Sequence, residues 1–106
     1  MISLFGGYSM NNKLKNDDVD FLFQSILSLK TMEECYNFFE DLCTAQELKA
    51  MSQRIVVAKM LSERKVYSDI VAKTGASTAT ISRVNRSLMY GNDGYSVVFD
   101  RVENHE

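Results

Sequence analysis

No proline interrupts this chain, and no segment alternates apolar and polar residues well enough to predict a β-strand. Apolar side chains instead recur every three or four positions, the spacing that places them on one face of an α-helix. Thr31 and Thr44, each with a glutamate three residues later, and Ser77 mark helix starts. The prediction is an all-α fold with helices over about 17–30, 32–42, 45–62, 67–73, 78–90 and 95–102.

A length of 106 residues is that of one domain. Residues 1–16 contain Gly6–Gly7 and Asn11–Asn12 and are predicted to be a flexible N-terminal segment, which leaves residues 17–106 as a single helical domain. No apolar run approaches the roughly 20 residues of a membrane span, and the start of the chain lacks the pattern of a signal peptide. We therefore expect a cytoplasmic protein with no membrane partner.

The helix predicted over 45–62 is apolar on most of its sides. Such a helix is normally central and covered. In a chain this short, part of the cover is expected from a second copy, so a homodimer is predicted. The stripe predicted to face inward comprises Leu48, Met51, Ile55, Ala58 and Leu61 or Ser62, and Val56, Val57 and Met60 widen it.

The net charge of −2 conceals an uneven distribution. Residues 49–90 carry eight Lys and Arg against two Asp and Glu, whereas residues 1–48 carry three against eight. A basic block inside an otherwise acidic protein indicates a surface that faces a polyanion.

The stretch GASTATISRVNRSL, residues 75–88, lies in this basic block. Two helices joined by a short turn that contains glycine form a helix-turn-helix, predicted here over about 67–90. Gly75 stands where the chain must take the left-handed conformation that glycine adopts without strain. The predicted apolar seam between the two helices consists of Ile70, Val71, Ile81, Val84 and Leu88.

The opposite face of the second helix is small and polar at its start and cationic further along. Small side chains let a helix approach base edges in the major groove, and cations bind phosphates. This face therefore predicts sequence-specific recognition of a double-stranded DNA operator. The predicted DNA-binding residues are Lys73, Ser77, Thr78, Ala79, Thr80, Ser82, Arg83 and Arg86.

Little in the sequence suggests a metal site or an enzyme. Cys35, Cys43 and His105 are too few and too scattered for a zinc site, so the cysteines are interpreted as small buried or half-buried apolar residues. There is no glycine-rich phosphate loop and no nucleophile with a nearby base, so no catalytic residue is predicted.

Two segments, LCTAQELKAMSQRIVVAKML and YSDIVAKTGASTATISRVNRSL, together resemble the Trp repressor family. The segments TGASTATISRV and YGNDGY are most similar to the YerC/YecD type of Trp-repressor-like proteins. The resemblance covers about 17–102 and implies an intertwined helical homodimer whose two reading helices enter successive major grooves. Half-sites would lie about 34 Å apart.

The resemblance also implies a corepressor pocket for tryptophan or another small anion. Val84 departs from the family pattern, because the family has at this position a glycine that leaves room for the indole. A β-branched side chain at this position would occupy the slot, and overpacking of the slot costs about 1–3 kcal/mol or more. The positions that correspond to the pocket are Thr44, Arg54, Thr80, Arg83, Val84 and Ser87.

Two interpretations of the arginines remain open. Either Arg54 and Arg83 clamp a small anion of a different shape, or Val84 fills the pocket, Arg54 pairs with an acid such as Glu47 or Glu63, and Arg83 contacts DNA phosphates. The preferred function is a DNA-binding transcription regulator of the repressor type, independent of tryptophan or responsive to an unknown ligand. The alternatives are a protein-interaction module on the same scaffold and a tryptophan-responsive repressor.

Overall fold

The computed structural model describes residues 15–104, and within that range the chain is helical with no β-strand. The predicted all-α fold is therefore confirmed. Most of the predicted flexible segment, residues 1–14, and the C-terminal His105 lie outside the described residues. The helices are α1 (Asp17–Leu27), α2 (Met32–Leu42), α3 (Ala45–Ser62), α4 (Tyr67–Thr74), α5 (Thr78–Tyr90) and α6 (Gly94–Glu103).

Side-chain caps fix where the early helices begin. Asn16 starts α1, because its Oδ1 accepts a hydrogen bond from the Val19 N–H at 2.8 Å. Thr44 forms the predicted capping box: its Oγ1 accepts from the Glu47 N–H at 3.0 Å, and the Glu47 carboxylate accepts from the Thr44 N–H at 2.8 Å. These bonds satisfy backbone donors that the first turn of a helix leaves without partners.

The capping box predicted at Thr31 is only half formed. Thr31 Oγ1 accepts from the Glu34 N–H at 3.0 Å, as the pattern requires. The Glu34 carboxylate, however, accepts from the Lys30 N–H at 2.8 Å and not from the N–H of Thr31. The glutamate still stabilises the start of α2, although it does so through the backbone one residue earlier.

The chain divides into two compact units, one that contains α1 and α2 and one that contains α3 to α6. In the first unit no side chain of either helix is fully buried. Phe21 is 70% exposed and Phe23 is 55% exposed. Cys35 is a free, half-buried thiol, as the sequence predicted.

The second unit has a small apolar core built by three helices and the turn between two of them. α3 contributes Val57 and Ala58, α4 contributes Ile70, and α5 contributes Ile81 and Val84. Ala76 from the α4–α5 turn completes the cluster, and four residues are packed against it: Met60, Leu61, Tyr95 and Phe99. This core fixes α5 against α3 and α4.

Two residues predicted to face this core are exposed. Ile55 is 40% exposed and does not belong to the core, although Ala58, three residues later on α3, does. Val71 is 38% exposed, because its neighbour Ile70 is the residue of this turn that packs into the core. The other predicted seam residues, Ile81 and Val84, are buried, and Leu88 is half-buried.

None of the helices within residues 15–104 is both long enough and apolar enough to cross a bilayer.

Candidate nucleic-acid interface

The corner between α4 and α5 depends on Gly75. Its backbone is left-handed, with φ 72° and ψ 6°, and its N–H donates to the Val71 carbonyl at 2.8 Å, which ends α4. A Cβ atom added at Gly75 would meet no atom within 4 Å. The position therefore requires glycine for its backbone conformation and not for lack of space.

Thr74 locks this corner through three hydrogen bonds. Its hydroxyl donates to the Ile70 carbonyl at 2.7 Å and accepts from the Ala76 N–H at 3.1 Å. Its carbonyl accepts from Nε2 of Gln53 at 3.1 Å. Because Gln53 belongs to α3, the last bond ties the corner to the central helix of the unit.

Ser77 and Thr80 organise the start of α5. Ser77 Oγ accepts from the Thr80 N–H at 3.1 Å and donates to Thr80 Oγ1 at 3.0 Å. A hydroxyl has one proton to donate, so Ser77 uses its proton inside the protein. Thr80 keeps its own proton for an outside acceptor, although its side chain is half-buried.

The face of α5 opposite Ile81 and Val84 is exposed along the length of the helix. In residues 15–104, none of the polar side chains of this face makes a hydrogen bond or an ion pair. The opposite face carries the buried Ile81 and Val84, so packing of that side turns the hydroxyls and guanidiniums outward. We define the outer face of α5 as Thr78, Ala79, Ser82, Arg83 and Arg86, all of which are exposed.

The field at this face is positive. Among residues 64–92, Asp69 is the single acidic residue, against five Lys and Arg, and α5 contains no acidic residue. Lys73, the last basic residue before the corner, is exposed and forms no ion pair with any described residue. Exposed cations that are not balanced by nearby acids attract a polyanion over distances of about 10 Å at moderate salt.

The residues of the implied corepressor pocket differ in their surroundings in one chain. Thr44 Oγ1 is engaged in the capping box, and Val84 is 3% exposed and belongs to the core. Arg54 and Ser87 are exposed. Two clefts bordered by α3, which are described below, are lined by none of the six predicted residues.

The prediction that Arg54 pairs with Glu47 or Glu63 is wrong within the described chain. The Glu47 carboxylate accepts the Thr44 N–H, and Glu63 pairs with Nζ of Lys59 at 3.7 Å. Arg54 forms no ion pair with a residue between 15 and 104.

The first of these two clefts lies between α3 and the end of α4 and has a volume of 540 Å³. It was not predicted from the sequence. We call it the lysine cleft. The available signal was the run of polar residues at positions 46, 49, 52 and 53 of α3, which follow one another at helical spacing. The lysine cleft is lined by Gln46, Lys49, Ala50, Ser52, Gln53, Val56, Lys73 and Thr74.

The second cleft, of 310 Å³, lies between α3 and α6, and we call it the apolar groove. At its edge, Nζ of Lys59 lies 5.3 Å from the centroid of the Phe99 ring and also bonds to the Glu103 carboxylate. Six of its eight residues are apolar. Four of these are exposed in one chain, namely Ile55, Val56, Val98 and Val102, whereas Met60 and Phe99 are half-buried against the core. The apolar groove is lined by Ile55, Val56, Lys59, Met60, Val98, Phe99, Val102 and Glu103.

Comparisons with known proteins agree with this architecture. Residues 17–103 match the Trp repressor protein family. The chain is 56% identical over 95 residues to the uncharacterised protein YerC of Bacillus subtilis strain 168, which covers 90% of this chain and 91% of YerC. A crystal structure of a TrpR-like protein from Eubacterium eligens ATCC 27750 superposes with a TM-score of 0.84 and 64% identity over 87% of this chain and 95% of that one. A candidate Trp repressor from Staphylococcus aureus gives a TM-score of 0.84 and 51% identity over 87% and 92% of the two chains.

Proposed function

Because this chain belongs to the Trp repressor protein family, we propose that it is a sequence-specific DNA-binding transcription regulator of the repressor type. It acts as a homodimer on a double-stranded operator. The proposal rests on one observation: α5 exposes a face of hydroxyls, one methyl group and two guanidiniums, while its other face is buried. A helix with a narrow buried side and small residues at its exposed start can enter the major groove.

The positions along α5 suggest separate roles for its side chains. Thr78, Ala79 and Ser82 are short, and they are assigned to base edges, where hydroxyls form hydrogen bonds and methyl groups contact thymine. Arg83 and Arg86 are assigned to backbone phosphates, as is Lys73. Ser77 contributes through its cap, and Thr80 through the one hydroxyl proton that remains free.

The apolar groove supports the homodimer. Soluble monomers seldom leave large contiguous apolar patches uncovered, and this groove lies on α3, the helix that is apolar on most sides. Two copies related by a twofold axis would each cover the other with the same surface. They would also present two α5 helices to a palindromic operator.

The buried Val84 supports regulation that does not depend on tryptophan. Its side chain belongs to the core formed with Ile81 and Val57, in the position where an indole would need space. Arg83 is exposed and has no acidic partner in the described chain, so it remains available to DNA or to another anion.

Selection of bound duplexes from a random pool tests this function directly. We expect the full chain to enrich one palindromic sequence, with binding that weakens steeply as salt rises and does not change when tryptophan is added. Enrichment that requires tryptophan would contradict the assignment of Val84. Absence of any enrichment or salt-sensitive binding would contradict the function and favour a protein-interaction module.

Two substitutions on the outer face of α5 should have different effects. Arg83→Ala should weaken binding to all duplexes and reduce the slope of log K against log salt by about 0.9, because one phosphate contact is lost.

Thr78→Val, which keeps the shape of the side chain and removes the hydroxyl, should change which base pair is preferred, by about 1–3 kcal/mol in binding free energy. Fluorescence anisotropy on the selected duplex and on single-base variants measures both effects. If both substitutions changed only thermal stability, the assignment of these side chains to DNA would fail.

A further inference from the structure

We propose that the lysine cleft binds a phosphate group of the DNA backbone and so makes α3 a second DNA-contacting element beside α5. This inference rests on the proposed function and extends its contact surface to residues that the helix-turn-helix does not contain. The new contributors are Lys49, Gln46 and Gln53 of α3, which act together with Lys73 at the end of α4.

The cleft has the chemistry of an anion site. Two lysines line it and no acidic residue does. Neither Lys49 nor Lys73 forms an ion pair or a hydrogen bond through its ammonium group with residues 15–104. Two ammonium groups that share one cleft without a counter-charge repel each other, and an anion between them would remove that repulsion.

The neighbouring acids do not supply this counter-charge. Glu47, two residues before Lys49, directs its carboxylate to the Thr44 N–H. Asp69, one helical turn before Lys73, forms no ion pair among the described residues. Neither acid lines the cleft, so the ligand must bring the negative charge.

Polar side chains in the cleft can direct hydrogen bonds at a phosphate. Gln53 uses one Nε2 hydrogen for the Thr74 carbonyl, and the amide group keeps a second one. Gln46 makes no side-chain hydrogen bond with the described residues and has both amide hydrogens to offer. Ser52 donates to the Lys49 carbonyl at 2.9 Å, so it is not counted as a donor to the ligand.

The position of the cleft favours backbone phosphate over a free anion. Thr74 forms part of its wall and stands three residues before Ser77, the cap of α5. A helix inserted in the major groove has sugar-phosphate backbone on both sides of it, and duplex DNA carries one negative charge per about 1.7 Å of its axis. The lysine cleft borders the corner that leads into α5, so the backbone beside the inserted helix is the source of phosphate assigned to it in this proposal.

Phosphate binding at this point would also affect the reading helix. The Gln53 amide holds the Thr74 carbonyl, and the Thr74 hydroxyl holds the Gly75 corner. Thr74 would then be the one residue that links Gln53, and the phosphate bound to it, to the Gly75 corner. Contact with the backbone and orientation of α5 would be coupled through these bonds.

The test is the salt dependence of DNA binding by full-length Lys49→Gln, measured by fluorescence anisotropy on a random-sequence duplex and on the selected operator. We expect the slope of log K against log salt to fall by about 0.9 on both duplexes, since a contact to phosphate carries no sequence information. Lys30→Gln, which makes the same charge change in an exposed residue outside the cleft, serves as the matched control. The control should leave the slope unchanged.

Two results would overturn the inference. The first is an unchanged slope for Lys49→Gln, and the second is an equal fall for Lys30→Gln, which would show a general effect of net charge. In the first case, inorganic phosphate that shifts the side-chain amide resonances of Gln46 and Gln53 would identify a free anion as the ligand. If the wild-type chain binds no duplex at all, the proposed function fails, whereas a wild-type chain that binds with a slope indifferent to Lys49 refutes only this inference.

Discussion

Ile81→Ala is expected to lower the free energy of unfolding by about 2–5 kcal/mol. Ile81 is fully buried in the cluster that α3, α4 and α5 share. Removing its outer carbons leaves a cavity among side chains that are fixed by helices on several sides, so collapse of the site can recover only part of the loss. Because the same side chain holds α5 in place, binding of the selected duplex should weaken as well.

Urea denaturation at one fixed protein concentration measures this effect, since the stability of a dimer depends on concentration. Ser82→Ala is the matched control: it is the next residue of α5, it is exposed, and its side chain makes no hydrogen bond in the described chain. This control should change stability by no more than about 0.5 kcal/mol. A loss for Ile81→Ala no larger than that of Ser82→Ala would contradict the assignment of Ile81 to the core.

Val98→Asp is expected to convert the proposed dimer into a monomer and to weaken operator binding by about 10²–10⁴-fold, the advantage that joining two binding modules gives. Val98 lines the apolar groove, where the second copy is proposed to dock. A carboxylate placed there would be buried on association, and Lys59, the cation of the groove, already pairs with Glu63 and Glu103, so burial of the new charge costs several kcal/mol. Light scattering should show the mass fall from twice 12.1 kDa to 12.1 kDa.

Val97→Asp provides a close control on the same helix. Val97 is 45% exposed and Val98 43%, so the two residues are equally accessible in one chain. Val97 does not line the apolar groove, and its substitution should leave the dimer intact. If both variants remained dimeric, the second copy would have to dock elsewhere.

The helices and the exposed character of the α5 face were predictable from the sequence because both depend on local rules. A capping residue binds the backbone within three residues, as Ser77 and Thr44 do. Helical spacing then separates Ile81 and Val84 from the hydroxyls and arginines on the other side. The conformation of Gly75 follows from the same local chemistry.

Features that depend on distant partners were not predictable in this way. The Gln53 bond to the Thr74 carbonyl joins residues 21 positions apart, and no local pattern indicates it. Ile55 is apolar and helically spaced, but spacing alone does not say which neighbour covers a side chain. The lack of a pair between Arg54 and Glu47 in the described chain was not predictable either, because the capping box engages one oxygen of the Glu47 carboxylate and a carboxylate has two.

Neither α1 nor α2 of the first unit fully buries a side chain. This affects how the amount of active protein in a cell depends on the number of chains made. Two helices of 11 residues each are too short to persist in water without packing partners. In the proposed dimer these helices would gain such partners on association, so folding and association would be one event. Occupancy of the operator would then rise more steeply than in proportion to the number of chains made, and the abundance of the protein would itself be a regulatory signal.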